Sequence, residues 1–235
     1  MKQQLATFIA AKPAPPVWEV RFELEHNPKP GTYVLADLGG VVRTVLFPVA
    51  VDSTGFTSIV PADHPATRLL PGVRVDILGP LGNGFDISAD RLLLVADVGH
   101  MPLLMPLLSM TSSIVVVIEA ASRLQLPSPQ LFPPNVELIL ATLDGSAGYL
   151  GPLESPAAAP QGYARASTIL KELIGWADQV CLALDANRYP DLAELVARSR
   201  INPIENFAQA LVIMQMPCGA GVCDICRIST QKGEK

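Results

Sequence analysis

The sequence predicts a β + α/β protein: an amino-terminal antiparallel β-barrel, then a doubly wound parallel-sheet domain, with a carboxyl-terminal Cys-rich segment. Three observations carry this expectation. Up to about residue 88, short runs rich in β-branched and aromatic residues are separated by turn-prone Gly, Asp, Ser and Pro. Beyond it, continuous Leu, Val and Ile runs alternate with helix-compatible stretches. Near the end, Cys218, Cys223 and Cys226 fall close together, three of the four cysteines in the chain. The expected divisions are therefore 1–88, 89–210 and 211–235.

Residues 17–24 set Val17, Val20, Phe22 and Leu24 against Glu19, Arg21 and Glu23, close to the two-residue period of a half-buried strand. The Pro30-Gly31 turn ends that run, and residues 33–38, 42–50, 56–60 and 73–78 are further short strands, with one or two helical turns over 65–70. Ahead of them, 5–11 is a short apolar run that leads into strand-like sequence rather than a cleavage site. In the second half, 91–96, 114–119, 136–141 and 180–184 read as strands buried on both faces, and 102–110, 167–176 and 190–198 as helices. Pro127, Pro129, Pro133 and Pro134 crowd the connection after Glu119, so that crossover is expected to be a loop.

Composition excludes several classes of function. With 49% apolar and 17% charged residues, the 235-residue chain can bury a real core without disulfide staples. A formal net charge of −5 has the wrong sign for a broad nucleic-acid surface. The longest apolar stretch, 92–108, contains Asp97, Gly99, His100 and two prolines, so no membrane span is expected and the protein reads as cytoplasmic. His26, His64 and His100 show no spacing that suggests a catalytic dyad or a His-based metal site, and no serine has a nucleophile-elbow context.

Four motifs could carry chemistry. Cys218-Gly-Ala-Gly-Val-Cys223-Asp-Ile-Cys226 has the C-x4-C-x2-C spacing of plant-type 2Fe-2S ligation, with glycines that let backbone amides approach inorganic sulfur. A structural zinc completed from outside, or three reduced thiols, are the alternatives. No cysteine follows Cys226, and Cys181 lies in a predicted buried strand, so a fourth thiolate is expected beyond Lys235 or not at all. The glycine-rich run GPLGNGFD, 79–86, allows either close approach to a ligand or a tight linker. Asp97-Val-Gly99-His-Met-Pro102 stands where a pyrophosphate would meet a helix amino terminus, yet it has one glycine, and Asp97 sets a carboxylate where phosphates should lie. The loop around Asp144 and Gly145 follows a strand, where open α/β sheets place ligands.

Taken in order, the barrel, GPLGNGFD, the buried strand, ATLDGSAGYLG and CGAGVCDIC resemble the electron-transfer subunit family of dihydroorotate dehydrogenase, within the ferredoxin-reductase superfamily. The resemblance spans nearly the whole chain. It implies an FAD-binding-like barrel over 1–88, an NAD-binding-like α/β domain over 89–210 and an iron–sulfur segment over 211–235. Cys218, Cys223 and Cys226 would ligate a 2Fe-2S cluster. The cofactor-facing positions would be Phe47, Pro48, Val49, Ala50, Ala66, Thr67, Gly99, Asp144 and Gly145. Where the family has Arg-Pro-x-Ser beside the flavin, this chain reads Phe47-Pro48-Val49-Ala50, with Arg43 as the cation four residues earlier. Its glycine-threonine pair reads Ala66-Thr67, its triple glycine Val95-Ala96-Asp97, and its Cys-Gly-Pro segment Ala183-Leu184-Asp185.

Two functions follow from the resemblance. One is an electron-transfer subunit passing electrons between FAD and the cluster, to or from a flavin-containing catalytic partner in a hetero-oligomer of pyrimidine biosynthesis, with NAD as remote acceptor. The other is a non-catalytic docking or regulatory paralogue without nicotinamide binding. No residue in either half stands out as a catalytic acid, base or nucleophile.

Overall fold

The computed structural model describes residues 2–14, 17–155, 164–201, 204–213, 229–230 and 233–234. Two compact units emerge, one running to Gly84 and the other covering Phe85–Val212.

The first unit is a seven-stranded antiparallel sheet. Its strands are β1 (Gln3–Ala14), β2 (Val17–Glu23), β3 (Tyr33–Ala36), β4 (Thr44–Leu46), β5 (Pro48–Val51), β6 (Gly55–Val60) and β7 (Arg74–Leu81). They lie in the order β4-β3-β7-β1-β2-β6-β5. The two ends of that order, β4 and β5, are joined through the single residue Phe47. A sheet whose first and last strands are continuous in the chain must curl round on itself, which is the barrel expected from the sequence. Alternation puts Val20 and Phe22 of β2 inside, and the Phe22 ring meets Phe8 edge-on at 5.4 Å and stacks on Phe56 at 5.5 Å. The long strand β1 is a correction in extent: 5–11 reads as a short apolar run, yet it lies within a twelve-residue strand at the centre of the sheet.

The second unit is a six-stranded parallel sheet flanked by helices. It comprises β8 (Arg91–Asp97), β9 (Ser113–Ala120), β10 (Val136–Thr142), β11 (Tyr149–Leu150), α1 (Ala166–Trp176), β12 (Gln179–Ala183), α2 (Tyr189–Ser199) and β13 (Ala208–Ala210). The strand order is β11-β10-β9-β8-β12-β13. The core joins sheet residues such as Val95, Val117 and Val180 to Leu170 and Ile174 of α1 and Leu192 and Val196 of α2. Those helical residues recur at spacings of four, the period that puts them on one face of each helix.

One expected helix is altered. Residues 102–110 form a 3-10 helix, Met101–Ser109, because Pro106 inside it has no N–H to donate and its ring opposes an α turn. The proline-crowded connection after β9 holds only short 3-10 turns, Arg123–Gln125 and Pro129–Leu131, in keeping with the expected loop.

Gly148 fixes the return from β10 to β11. Its φ is +63°, and a Cβ there would sit 2.0 Å from the Leu140 carbonyl oxygen. Gly148→Ala should therefore cost at least about 2 kcal/mol in urea unfolding, through both strain and overlap. Gly175→Ala, in α1 with open space around it, should be neutral or stabilising by up to about 1 kcal/mol. Equal effects at the two positions would contradict the turn geometry.

Candidate functional site

In the first unit, the residues expected to face a flavin lie at the bend between β4 and β5. Pro48 is buried, Phe47 and Val49 are half-buried and Ala50 is exposed. The Phe47 ring lies 5.7 Å from that of Tyr33. None of the four carries a charge. Arg43 is turned elsewhere: its Nη1 donates to the Asp76 carboxylate at 3.0 Å and to the Asp76 carbonyl at 3.1 Å. Ala66 is fully buried, and its N–H donates to Nδ1 of His64 at 3.2 Å. The Thr67 hydroxyl donates to the His64 carbonyl at 2.8 Å, holding the 3-10 turn Pro65–Arg68. These positions offer an apolar, aromatic surface of the kind a flavin ring stacks on. The cation that a flavin diphosphate needs is not supplied by them.

The glycine run after β7 has a local structural cause. Gly84 has φ +72°, and a Cβ there would approach the Pro30 carbonyl to 2.9 Å and the Thr32 methyl to 3.2 Å. The chain passes so close to the Pro30-Gly31-Thr32 turn that only glycine fits.

In the second unit, the strand order reverses direction between β8, from which β9 and β10 are built one way, and β12, from which β13 is built the other. Open α/β sheets bind ligands beyond the carboxyl ends of the strands at such a reversal. Here that position is densely charged. The His100 N–H donates to Oδ1 of Asp97 at 2.9 Å, and its imidazole Nδ1 lies 2.8 Å from Oδ2. Gly99 between them is exposed. Glu119, at the end of β9 beside Asp97, is buried and binds Arg188 through two contacts of 2.8 Å. Arg188 also donates its Nε–H to Glu154 at 2.9 Å, and Glu119 accepts the Leu153 N–H at 3.0 Å. Asp185 adds a further carboxylate whose field reaches His100 and Tyr189.

The charges tune each other. The Asp97 hydrogen bond raises the His100 pKa above the ordinary imidazole value, against the opposing effect of burial. Burial works against the charge of Asp97, but the His100 contacts outweigh it and hold the carboxyl below its usual range. Burial likewise opposes the Arg188 charge, and Glu154 and Glu119 overcome it. For stability the signs differ. The raised His100 contributes below the unfolded value of about 6.5 and loses its contribution as pH rises through the folded value; the lowered Asp97 contributes above about 3.9 and loses its contribution as pH falls. The pair thus helps most between roughly pH 4 and 6.5. His100→Gln should lower the melting temperature most within that window and remove the decline that sets in as pH rises above about 6.5, and an unchanged profile would contradict the pairing.

Asp144 and Gly145 form a turn after β10 that is tied to the segment after β9, the Asp144 N–H donating to the Ala121 carbonyl at 3.3 Å and the Ser146 hydroxyl oxygen accepting the Arg123 N–H at 2.8 Å. The Asp144 carboxylate accepts the Ser146 N–H at 2.9 Å and its hydroxyl at 2.6 Å, and Gly145 has φ +72°. Cys218, Cys223 and Cys226 lie outside the described residues. Cys181 is fully buried in β12, and burial pushes its thiol up to about 12, so it is a core residue with no route to a cluster short of opening the sheet. Among the described residues no group of three or more His, Cys, Asp or Glu side chains is placed to hold a metal. No helix among them is long and apolar enough to cross a membrane.

Sequence reasoning missed the charged cluster. The Asp97–His100 pair was visible as an i, i+3 spacing, whereas Arg188 meets partners 69 and 34 residues away, a juxtaposition that only the sheet creates.

A curled antiparallel sheet followed by this parallel sheet is the ferredoxin-reductase-like fold. No family model matches the chain. In sequence it is 29% identical over 133 residues to a probable dihydroorotate dehydrogenase B (NAD(+)), electron transfer subunit, of Thermoplasma acidophilum, a match covering 55% of this chain and 52% of that protein. The matched region thus spans about half the length of that curated relative. In structure the chain resembles an NADH-dependent reduced ferredoxin-NADP oxidoreductase, with a TM-score of 0.64 at 18% identity over 99% of this chain and 84% of that one. It also resembles a flavohemoglobin from Malassezia yamatoensis solved with bound FAD and heme, with a TM-score of 0.60 at 11% identity over 90% of this chain and 60% of that one. The likeness to the electron-transfer subunit family read from the motifs is therefore met in sequence, and the superfamily fold in structure.

Proposed function

We propose that this chain is the electron-transfer subunit of a two-component, cytoplasmic oxidoreductase. Cys218, Cys223 and Cys226 hold a 2Fe-2S cluster that links a flavin to a dihydroorotate dehydrogenase-like, flavin-containing catalytic subunit of pyrimidine biosynthesis. The observation that carries this reading is the C-x4-C-x2-C run on a chain of ferredoxin-reductase-like fold. The donor set fits in type and spacing and contributes three of the four thiolates. A cluster supplies one-electron transfer, and a flavin interconverts one- and two-electron steps. The work of the chain itself is to hold these groups and to exclude water. Phe47, Pro48 and Val49 present the apolar surface for a flavin ring, while a diphosphate would need a cation from outside these positions.

The docking paralogue is favoured by one specific set of contacts, the engagement of Arg43 by Asp76 and of the His100 amide and imidazole by Asp97. The two readings separate on anaerobically purified protein. Electron transfer predicts flavin bands, broad iron–sulfur absorption, and about two irons and two labile sulfides per chain. Colourless protein without iron or flavin supports docking alone.

A further inference from the structure

We infer that the α/β unit carries its own anion, the Asp97 carboxylate, at the place where a dinucleotide pyrophosphate would lie, and that it therefore takes up neither NAD(H) nor NADP(H). A pyrophosphate at this position is held by backbone N–H groups at the turn after the first strand and by the amino terminus of the helix that follows. Both holds are already lost here. The His100 N–H donates to the Asp97 carboxylate at 2.9 Å and to the Asp97 carbonyl at 3.2 Å, and the His100 imidazole closes on the same carboxylate at 2.8 Å. The element that follows is a 3-10 helix with Pro102 in its first turn, which removes one more donor.

Neighbouring charge acts in the same direction. Arg188, the guanidinium on the adjoining loop after β12, is held by Glu119 and Glu154. With Asp97 and Asp185, four carboxylates face two cations, His100 and Arg188. A doubly negative pyrophosphate entering this partly buried site would meet like charge in a low-dielectric surrounding, where repulsion is weakly screened. Its amide donors would become available only by breaking the Asp97–His100 pair. Asp97 thus performs internally the role that the ligand performs elsewhere: it satisfies the turn. On the reading of this chain as an electron-transfer subunit, reducing equivalents then enter and leave through protein-held redox groups rather than free pyridine nucleotide.

The test is fluorescence titration of NADH and NADPH with the anaerobically purified full chain. Wild-type protein should show no saturable binding up to about 1 mM, the upper end of ordinary substrate affinities. Saturable binding of either nucleotide with a dissociation constant below about 1 mM overturns the inference. Asp97→Gly removes the carboxylate from the turn and should bind NADH with a dissociation constant below about 100 µM, at least about tenfold tighter than the limit of about 1 mM expected of wild type. A folded Asp97→Gly variant that binds no better than wild type overturns the role of Asp97. If that variant does not fold, as judged by circular dichroism, Asp97→Ala, which also lacks a side-chain acceptor, replaces it and is read in the same way. Iron and sulfide content of the same preparations reports on the proposed function separately, because no cysteine is altered.

Discussion

Cys223→Ser should abolish the iron–sulfur absorption and the paramagnetic signal proposed for the reduced protein, while far-UV circular dichroism should stay unchanged. Cys223 is the central sulfur of the C-x4-C-x2-C run, shared by both of its spacings, so its loss leaves Cys218 and Cys226 as an isolated pair. Serine has nearly the same volume, but its hydroxyl is a far weaker ligand for iron than a thiolate. Iron content should fall from about two per chain to near zero. The fold should survive because the two cores are built from elements between Gln3 and Ala210, which do not include these cysteines. Full retention of the signal would remove Cys223 from the ligand set. A colourless wild-type protein with bound zinc would replace the cluster with a structural metal.

The second large effect belongs to Arg188. Arg188→Met should lower the stability of the α/β unit by about 3–5 kcal/mol, the cost of leaving a buried charge without its partner. At roughly 2–4 °C per kcal/mol for a chain of this size, the melting temperature should fall by about 6–20 °C. Glu119 is only 5% exposed and receives both arms of the guanidinium, so no water can replace what is lost. Arg188→Lys should recover only part of the loss, since an ammonium cannot make the planar fork that spans Glu119 and Glu154. Adding Glu119→Gln and Glu154→Gln to Arg188→Met should restore much of it by removing the unpaired charge. A loss below about 1 kcal/mol in the single variant would mean that the cluster behaves as a surface ion pair.

Much of the architecture was legible because it is written in local periodicity. Val20 and Phe22 alternate with charged neighbours, and the stretches 92–96 and 114–118 are apolar throughout, so half-buried and fully buried strands separate cleanly. What local pattern misses is long-range pairing. The centrality of β1 depends on its two partners, β2 and β7, and the second is more than sixty residues away. Proline changed the type of the element at Met101–Ser109 without removing it, because short-range turns survive a missing donor that a full α-helix does not.

The candidate site was legible in a different measure. Asp97 stands out in sequence as a carboxylate in a phosphate position, and the structure adds what holds it there, the His100 amide and imidazole. The commitments of Arg43 to Asp76 and of Arg188 to Glu119 arise from strand pairing and could not be read from neighbouring residues. Glycine in the GPLGNGF run is explained locally at Gly84, where the Pro30 carbonyl leaves no space for a side chain.

Electron paramagnetic resonance of the full chain, purified without oxygen and reduced with dithionite, puts the iron assignment most directly at risk. A low-temperature half-spin signal integrating to roughly one spin per chain is the expected result for a reduced 2Fe-2S centre. A silent spectrum from protein that carries zinc, or no metal, would contradict it.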